Sequence, residues 1–268
     1  MKLACSTSAF KTPLSDALTT ISRLGFAHVD LICIPGFGHL IPEDVSKDFD
    51  AQYENVRELL SQTKLTPVAI NSAYGNLYQR DDAGTNETRL VQVDAVARLA
   101  KRLGIQVVSF FPGGNWPAQE MKWDDVLTGE LETLREMLDN ASEYDVEFVI
   151  EPHFNTPFQT LDQITRLLAA LPQLRIAYDP SHFAMQEIPL RDTLPFLDRA
   201  AHVHMRDAGP EKMQMPTGQG TVDFTFLISE LKKRSYDGAV SIEYLDGIEG
   251  GADENVSRLR EILEGHLA

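Results

Sequence analysis

Four short apolar stretches in the second half of the chain end in a carboxylic acid or a histidine. Their last residues are Glu151, Asp179, His204 and Glu243. Apolar stretches of this length are typical of strands buried on both faces of a parallel sheet. When such strands close into a (β/α) barrel, their carboxyl ends converge on one rim, where catalytic groups lie. The pattern therefore predicts a divalent-metal site made of three carboxylates and one imidazole.

Strand-like and helix-like patterns alternate along the whole chain. Strands are predicted at residues 2–6, 28–33, 66–71, 106–111, 146–151, 175–179, 201–204 and 239–243. Helices are predicted at residues 13–24, 42–62, 86–103, 124–144, 161–171, 190–198, 223–234 and 253–265. No linker or low-complexity segment divides this pattern. We therefore predict an α/β protein with a single (β/α)8 TIM barrel, in one domain over residues 1–268.

Alternation along a strand predicts which side chains face the barrel interior. If Glu151 faces inward, Val149 and Glu147 do too. The side chains predicted to face the helices on four strands are all apolar: Phe148, Ile150, Ile176, Tyr178, Val203, Val240 and Ile242. The same alternation places Glu147 near Arg175 at the far end of the barrel. We predict an ion pair there, because a lone buried charge is too costly.

The charge balance argues against some classes of partner. Asp and Glu number 40 against 24 Lys and Arg, which gives a formal net charge of −16. Such acidity does not suit the phosphates of nucleic acid or an anionic membrane. The two cysteines, Cys5 and Cys33, lie in apolar stretches and are expected to be reduced and buried. Because the sequence shows no secretory signal and no apolar stretch near the ~18 residues of a spanning helix, we expect a cytoplasmic enzyme.

Five motifs give the sequence a family resemblance. They are Glu151-Pro-His, Asp179-Pro-Ser-His182-Phe, His202-Val-His204, Gly218-Gln-Gly220-Thr-Val-Asp-Phe and Ser241-Ile-Glu243. In this order they resemble the sugar phosphate isomerase/epimerase superfamily. That group has xylose isomerase-like TIM barrels and includes ketose 3-epimerases, hydroxypyruvate isomerases and inosose dehydratases. The resemblance covers nearly the whole chain but does not specify a substrate.

The resemblance implies one divalent ion held by Glu151, Asp179, His204 and Glu243. Mn²⁺ is expected first, with Mg²⁺, Co²⁺ or Zn²⁺ as alternatives, because carboxylates with one imidazole favour hard cations. In ketose 3-epimerases of the group, the two glutamates also move the proton. The histidine three residues after the aspartate contacts the substrate. By resemblance, Glu151 and Glu243 are catalytic and His182 binds substrate.

Such groups suit proton abstraction next to a carbonyl, which produces an enediolate. A divalent ion chelated by the carbonyl and a neighbouring hydroxyl stabilises the negative charge, and two carboxylates can remove and return the proton. The predicted function is a divalent-metal-dependent isomerase or epimerase of a sugar or polyol ketone, acting through a metal-stabilised enediolate. The predicted partner is that small molecule, with no nucleic acid and no membrane.

Other residues near the predicted rim are candidates for the substrate pocket. Those predicted to bind substrate are Asn71, Trp116 and Arg206, with Tyr74, Phe110 and Phe111 as further aromatic candidates. His153 could take part in acid–base catalysis or hold the loop of Glu151. His202 is expected to be a buried, hydrogen-bonded core histidine. Asp207 is expected in a turn, and Gly218 and Gly220 in a turn with positive φ.

One departure from the ketose 3-epimerase pattern keeps a second reaction open. Those epimerases carry a substrate-binding arginine a few residues past the ligand histidine, and Arg206 does not align with it. The alternative is a lyase or dehydratase in which the same enolate expels a β-leaving group, as in inosose dehydratase-like or keto-glycoside-cleaving relatives. His153 would then be the acid.

Two further classes fit the sequence less well. An endonuclease IV-like repair enzyme calls for a histidine-rich multi-metal cluster and a basic groove. The seven histidines and the net charge of −16 argue against this class. A non-catalytic barrel would have no need of an intact ligand set. Many members of the family pair through their barrels, so a homodimer or homotetramer is expected.

Overall fold

Eight parallel strands close into a barrel in chain order, and the last strand pairs with the first. The strands are Lys2–Ser6 (β1), His28–Cys33 (β2), Thr66–Ala73 (β3), Val107–Phe111 (β4), Glu147–Ile150 (β5), Ile176–Tyr178 (β6), Ala200–Met205 (β7) and Ala239–Ile242 (β8). The computed structural model describes residues 1–78, 83–114 and 121–267. The predicted TIM barrel is confirmed.

Helices connect the strands. They are Leu14–Arg23 (α1), Pro42–Lys47 (α2), Phe49–Thr63 (α3), Ala83–Leu103 (α4), Trp123–Ser142 (α5), Leu161–Ala170 (α6), Ser181–Ala184 (α7), Leu194–Leu197 (α8), Phe224–Lys233 (α9) and Ala252–Leu267 (α10). Helix α6 begins with a capping box, in which the Thr160 and Gln163 side chains each accept the other residue's backbone N–H. Within the described ranges, no helix combines the length and apolarity needed to cross a membrane.

Strand alternation divides the apolar core into two layers. The residues predicted to face the helices all lie buried in one large cluster: Phe148, Ile150, Ile176, Tyr178, Val203, Val240 and Ile242. A separate small cluster contains Val149, Ala177 and Ala201, packed against Val107. The predicted alternation is confirmed. Because side chains on a strand alternate, it also directs the acid after β5 towards the inside of the barrel.

The predicted ion pair at the far end of the barrel forms. Arg175 Nη1 lies 3.1 Å from Glu147 Oε2, and the two side chains are 42% and 38% exposed. Since water screens a pair with this exposure, it stabilises the fold by at most about 1 kcal/mol. The contact agrees with the predicted facing of both strands.

Several predicted elements differ from the structure. The helix predicted at residues 42–62 is two helices, because Asp48 leaves the helical region with φ of −139°. Strand β3 continues to Ala73, two residues past its predicted end. The segment predicted as a helix at residues 190–198 is a 3-10 turn followed by the short α8. Helix α7 was not predicted, since four residues are too few to show a helical period.

Candidate metal and active site

The four predicted metal ligands meet at one end of the barrel. His204 lies near the end of β7, while Glu151, Asp179 and Glu243 directly follow β5, β6 and β8. All four residues are at most 4% exposed. One donor atom from each lies within 4.8 Å of the donor atoms of the other three. We call these four residues the ligand cluster.

His204 is the centre of the contacts in this cluster. Its Nδ1 lies 2.7 Å from Glu151 Oε1 and 3.4 Å from Glu243 Oε2. Its Nε2 lies 3.2 Å from Oδ2 of Asp30, a residue in the middle of β2. The same Oδ2 is 2.8 Å from His202 Nε2. His202 is therefore a buried, hydrogen-bonded histidine, as expected.

Two side chains hold the carboxylate of Glu243. Asn71 Nδ2 donates to Oε1 at 2.7 Å, and Arg206 Nη1 donates to Oε2 at 2.8 Å. Arg206 Nη1 also donates to the backbone carbonyl of Glu243 at 3.0 Å. Both carboxylate oxygens of Glu243 are therefore hydrogen-bonded. The geometry fixes this glutamate at the edge of the ligand cluster.

Arg206 links the ligand cluster to His182. Its Nη2 lies 2.8 Å from Asp179 Oδ2 and donates to His182 Nε2 at 3.1 Å. Its Nε donates to the carbonyl of Met213 at 3.2 Å. Because arginine can only donate, His182 Nε2 accepts and the proton of a neutral His182 is on Nδ1. The guanidinium that was predicted to bind substrate thus directs its donors at the protein itself.

Burial and neighbouring charges push the pKa values of the cluster apart. Burial, reinforced by Glu151 and opposed by His204, raises the pKa of Glu243 to about 7. Burial acts in the same direction on Glu151, but attraction to His204 and its hydrogen bond outweigh it and lower that pKa. Burial would lower the pKa of His204, yet the surrounding carboxylates hold it well above its usual value. Neighbouring groups whose pKa values are shifted in opposite directions are typical of acid–base sites.

A divalent cation fits the ligand cluster. Glu151, Asp179 and Glu243 bring three negative charges and Arg206 brings one positive charge, so a dication would neutralise the two that remain. Buried charges need such compensation. Asp179 Oδ2 is buried and accepts no hydrogen bond within the described ranges, although the Arg206 guanidinium lies close to it. Carboxylate and imidazole donors are those that Mn²⁺, Mg²⁺, Co²⁺ and Zn²⁺ accept.

A cavity of about 250 Å³ opens onto the ligand cluster. Its polar wall consists of Asn71, Glu151, His153, Arg206 and Glu243, and its apolar wall of Ile32, Ile34, Phe37, Phe111, Met213 and Leu245. Of the aromatic candidates, Phe111 lines the cavity, whereas Tyr74 and Phe110 are buried in the core. Trp116 lies outside the described residues. The cavity has room for one sugar-sized molecule.

Two histidines lie against each other beside this cavity. The ring centroids of His153 and His182 are 3.6 Å apart, and Phe111 meets the His153 ring edge-on at 4.7 Å. His153 Nδ1 lies 2.6 Å from the Phe154 carbonyl, so Nδ1 donates and Nε2 stays available. His182 is 1% exposed and contributes nothing to the cavity wall. Burial lowers the pKa of both rings, so both are neutral near pH 7.

Asp207 organises the loop that follows β7. Its carboxylate accepts the backbone N–H groups of Ala208, Gly218, Gly220 and Val222. Gly218 has the expected positive φ, at +85°. Gly220 does not have the predicted positive φ. A glycine is needed there because a Cβ would lie 2.1 Å from Asp207 Oδ1. Asp207 is therefore a turn residue, as expected, and it follows Arg206 directly.

Asp30 is the residue of this site that the sequence did not reveal. Its partners, His202 and His204, are 172 and 174 residues away along the chain. The available signal was an acid in the middle of an otherwise apolar strand. Because a buried charge needs a partner, such a residue indicates a polar contact inside the barrel.

Comparisons with known proteins identify the family. The family model described as xylose isomerase-like TIM barrel matches residues 18–262. Sequence comparison with curated proteins finds no match.

Three similar solved structures share the fold with this chain. The 3-keto-D-glucoside 4-epimerase YcjR from E. coli is 18% identical over 97% of this chain and 99% of its own, with a TM-score of 0.77. The IolI protein with a bound zinc atom is 18% identical over 99% and 98%, also with a TM-score of 0.77. The probable 3-DHS dehydratase AsbF from Bacillus anthracis is 18% identical over 98% and 99%, with a TM-score of 0.74. Since the family model covers most of the sequence, the chain belongs to the xylose isomerase-like TIM barrel family.

Proposed function

We propose that this chain is a divalent-metal-dependent isomerase or epimerase that acts on a sugar or polyol ketone by proton abstraction next to the carbonyl. The observation that carries the proposal is the pair Glu151 and Glu243. They follow strands that are not neighbours, approach the same nitrogen of His204, and both line the cavity. Such a reaction needs two groups that can remove and return a proton. The neighbour named a 3-keto-D-glucoside 4-epimerase supports this class.

The two glutamates have different roles in this proposal. Glu151 removes the proton from the carbon next to the carbonyl. Glu243, after it has taken a proton from solvent, returns that proton to the carbon. When bound by the ligand cluster, the dication would polarise the carbonyl and stabilise the negative charge of the enediolate. We favour Mn²⁺, and the zinc atom named for IolI supports Zn²⁺ as an alternative.

Neighbouring residues orient the substrate and the acids. Asn71 holds Glu243 through its amide nitrogen, and its buried Oδ1 has no partner among the described residues. That oxygen would accept a substrate hydroxyl. Arg206 holds Glu243 and adds positive charge to the cavity wall, while His182 would act on the substrate through the His153 ring against which it packs. Trp116 stays a predicted substrate contact.

The first test measures the metal and the exchange of a carbon-bound hydrogen. Metal analysis of the purified protein should find one divalent ion per chain. A panel of keto-sugars incubated with the enzyme in D₂O should then include one that takes up deuterium next to its carbonyl. Absence of both the ion and the exchange across the panel would contradict the proposal.

Substitution of either glutamate separates catalysis from folding. We expect Glu151→Gln and Glu243→Gln to lower the exchange rate by about 10²–10⁴-fold, because each removes a proton-transferring group. Glu147→Gln is the matched control, since it makes the same change on β5 at the far end of the barrel, where the side chain is 38% exposed. Its rate should equal that of the unchanged protein. Equal exchange rates in all three variants would contradict the roles of Glu151 and Glu243 in proton transfer.

The alternative is a lyase or dehydratase, and one observation favours it. His153 lines the cavity, and its Nε2 stays available because Nδ1 is bonded to the Phe154 carbonyl. Nε2 of the neutral ring carries a lone pair, so it could take a proton from the substrate and then deliver that proton to a β-leaving group. The neighbour named a probable 3-DHS dehydratase supports this reaction. Incubation with inosose and with 3-keto-glycosides decides between the two, since elimination yields a new unsaturated or cleaved product and epimerisation yields only an isomer.

The substrate is thus proposed to be a small molecule. A cytoplasmic location and a homodimer or homotetramer stay predictions from the sequence. Size-exclusion chromatography with light scattering measures the oligomeric state directly.

A further inference from the structure

Asp30 occupies an unusual place for an acid. It lies in the middle of β2, is fully buried, and faces β7 across the barrel interior. Its Oδ2 is 2.8 Å from His202 Nε2 and 3.2 Å from His204 Nε2. Its Oδ1 has no hydrogen-bond partner among the described residues. A single carboxylate oxygen therefore contacts two imidazole rings.

The contact decides which nitrogen of His204 carries a proton. Asp30 Oδ2 lies at hydrogen-bond distance from the Nε2 atoms of both His202 and His204. A carboxylate oxygen shared by two ring nitrogens accepts from both of them. His204 Nε2 must therefore donate to it. In the metal-free protein, His204 Nδ1 also donates, to Glu151 Oε1 at 2.7 Å. If a metal ion took the place of that proton, the proton on Nε2 would stay hydrogen-bonded to Asp30 and the lone pair of Nδ1 would face the ligand cluster.

We propose that Asp30 is a positioning residue that fixes the orientation and tautomer of His204, so that Nδ1 is presented to a metal ion in the ligand cluster. This inference rests on the metal site of the proposed function and not on its substrate or reaction. A carboxylate that accepts from the second nitrogen of a metal-binding histidine raises the basicity of the ring and holds its plane. His202 shares the carboxylate without reaching the ligand cluster.

A second ion among Asp30, His202 and His204 is the competing interpretation. The three residues do bring their donor atoms close together. However, the oxygen lies at hydrogen-bond distance from both nitrogens, and both contacts are explained by N–H groups donating to a carboxylate. Among the residues that the structure describes, three donors converge there, whereas the ligand cluster brings four. The structure therefore assigns these three residues to one hydrogen-bonded unit.

The test is a titration of the metal-free, full-length protein with Co²⁺, whose visible absorption reports the coordination of the ion. Asp30→Ala should weaken Co²⁺ binding by about 10–100-fold, because His204 loses the acceptor that orients it. Asp30→Asn keeps an acceptor oxygen without the charge. Its Co²⁺ affinity should therefore lie between that of Asp30→Ala and that of the unchanged protein. His202→Gln removes the other imidazole of the same carboxylate and should change the affinity by less than about threefold on the same reasoning. Circular dichroism verifies that each variant is folded.

A second readout does not depend on affinity. In the Zn²⁺-loaded protein, the proton on His204 Nε2 should give a downfield resonance in ¹⁵N-resolved NMR spectra, because it is hydrogen-bonded to a carboxylate. The resonance should keep its position in His202→Gln and move upfield in Asp30→Asn, because a neutral amide accepts a weaker hydrogen bond than a carboxylate. If Asp30→Ala does not fold, the Asn variant still tests the proposal through both measurements.

The outcomes separate this inference from the proposed function. If both Asp30 variants bind Co²⁺ as tightly as the unchanged protein, the positioning role is wrong and the proposed reaction is unaffected. If the affinity falls as expected but no keto-sugar exchanges its hydrogen, the positioning role stands and the reaction is wrong. Two Co²⁺ ions per chain, one of them lost in His202→Gln, would overturn the inference in favour of the second site.

Discussion

At the scale of single residues, the metal-free ligand cluster carries protons that must leave when a metal ion binds. His204 contacts carboxylates on both edges, which hold its pKa well above the usual value, so the ring is an imidazolium near neutral pH. Glu243 has a pKa raised to about 7. A bound ion needs a free lone pair on Nδ1 and an ionised carboxylate, and therefore both protons must leave.

Metal affinity should consequently depend on pH. Protonation competes with the ion, so affinity falls as the pH drops. Each released proton makes the affinity change about tenfold per pH unit. We expect more protons to be released per Mn²⁺ at pH 6, where Glu243 is mostly protonated, than at pH 8, where Glu243 is mostly ionised. Isothermal titration calorimetry in buffers of different ionisation enthalpy counts these protons.

The variant Glu243→Gln provides the control for this count. It cannot take up the additional proton, so proton release should be nearly the same at pH 6 and pH 8, although binding is weaker overall. Equal Mn²⁺ affinity of the unchanged protein at the two pH values would contradict the expectation.

At this scale the sequence predicted residue types better than residue contacts. The four members of the ligand cluster could be predicted because each ends a strand, and the ends of parallel strands converge. Arg206 could be seen as a candidate, but its contacts with Glu243 and Asp179 depend on side-chain packing. The position of Asp30 across the barrel depends on closure of the sheet, which no local pattern encodes.

At the scale of elements, the strands were predicted closely and the helices less so. A buried strand has a short apolar pattern with abrupt ends, and the predicted and observed bounds of β1 and β2 coincide. A surface helix can break without a change in its periodicity, as happens at Asp48, where neither proline nor glycine marks the break. The conformation of a loop near the ligand cluster depends on individual side-chain contacts. The loop after β7, which the Asp207 carboxylate holds, is the best example.

That loop should tolerate no side chain at Gly220. A Cβ there would lie 2.1 Å from Asp207 Oδ1 and 2.4 Å from the Ala208 carbonyl, so the carboxylate that holds the loop would have to move. We expect Gly220→Ala to lower the free energy of unfolding by about 1–3 kcal/mol. Urea denaturation followed by circular dichroism measures the loss.

Gly265 offers the matched substitution. It lies in α10, and a Cβ there would meet nothing within 4 Å. Alanine favours a helix over glycine by about 1 kcal/mol, so Gly265→Ala should be neutral or stabilising. If both alanine variants behave alike, the close approach at Gly220 does not limit the loop.

At the scale of the whole molecule, the ligand cluster draws together one half of the barrel. Its members belong to β5, β6, β7 and β8, which are consecutive strands. The junction between β5 and β6 is the shortest ladder among them, with the single register pair Ile150 and Ile176. Glu151 and Asp179 directly follow these two strands. A shared ion would therefore connect the strands at the point where the backbone connects them least.

Removal of the metal should for this reason loosen the barrel locally as well as lower its stability. An ion present at 100 times its dissociation constant stabilises the folded state by about 2.7 kcal/mol, which corresponds to roughly 5–10 °C in melting temperature for a chain of this size. We expect EDTA to lower the melting temperature by that amount. Hydrogen–deuterium exchange should increase in peptides covering β5 and β6 and stay unchanged in β2 and β3, which pair along most of their length.

The double variant Glu151→Gln, Asp179→Asn gives this prediction its control. Since it lacks the two ligands that bridge β5 and β6, its melting temperature and its exchange pattern should be the same with and without EDTA. A uniform rise in exchange around the barrel of the unchanged protein would mean that the ion stabilises the fold globally. No response to EDTA in a protein shown to contain the ion would mean that the short ladder needs no support. Only a local rise, absent from the double variant, connects the chemistry of the ligand cluster to the closure of the barrel.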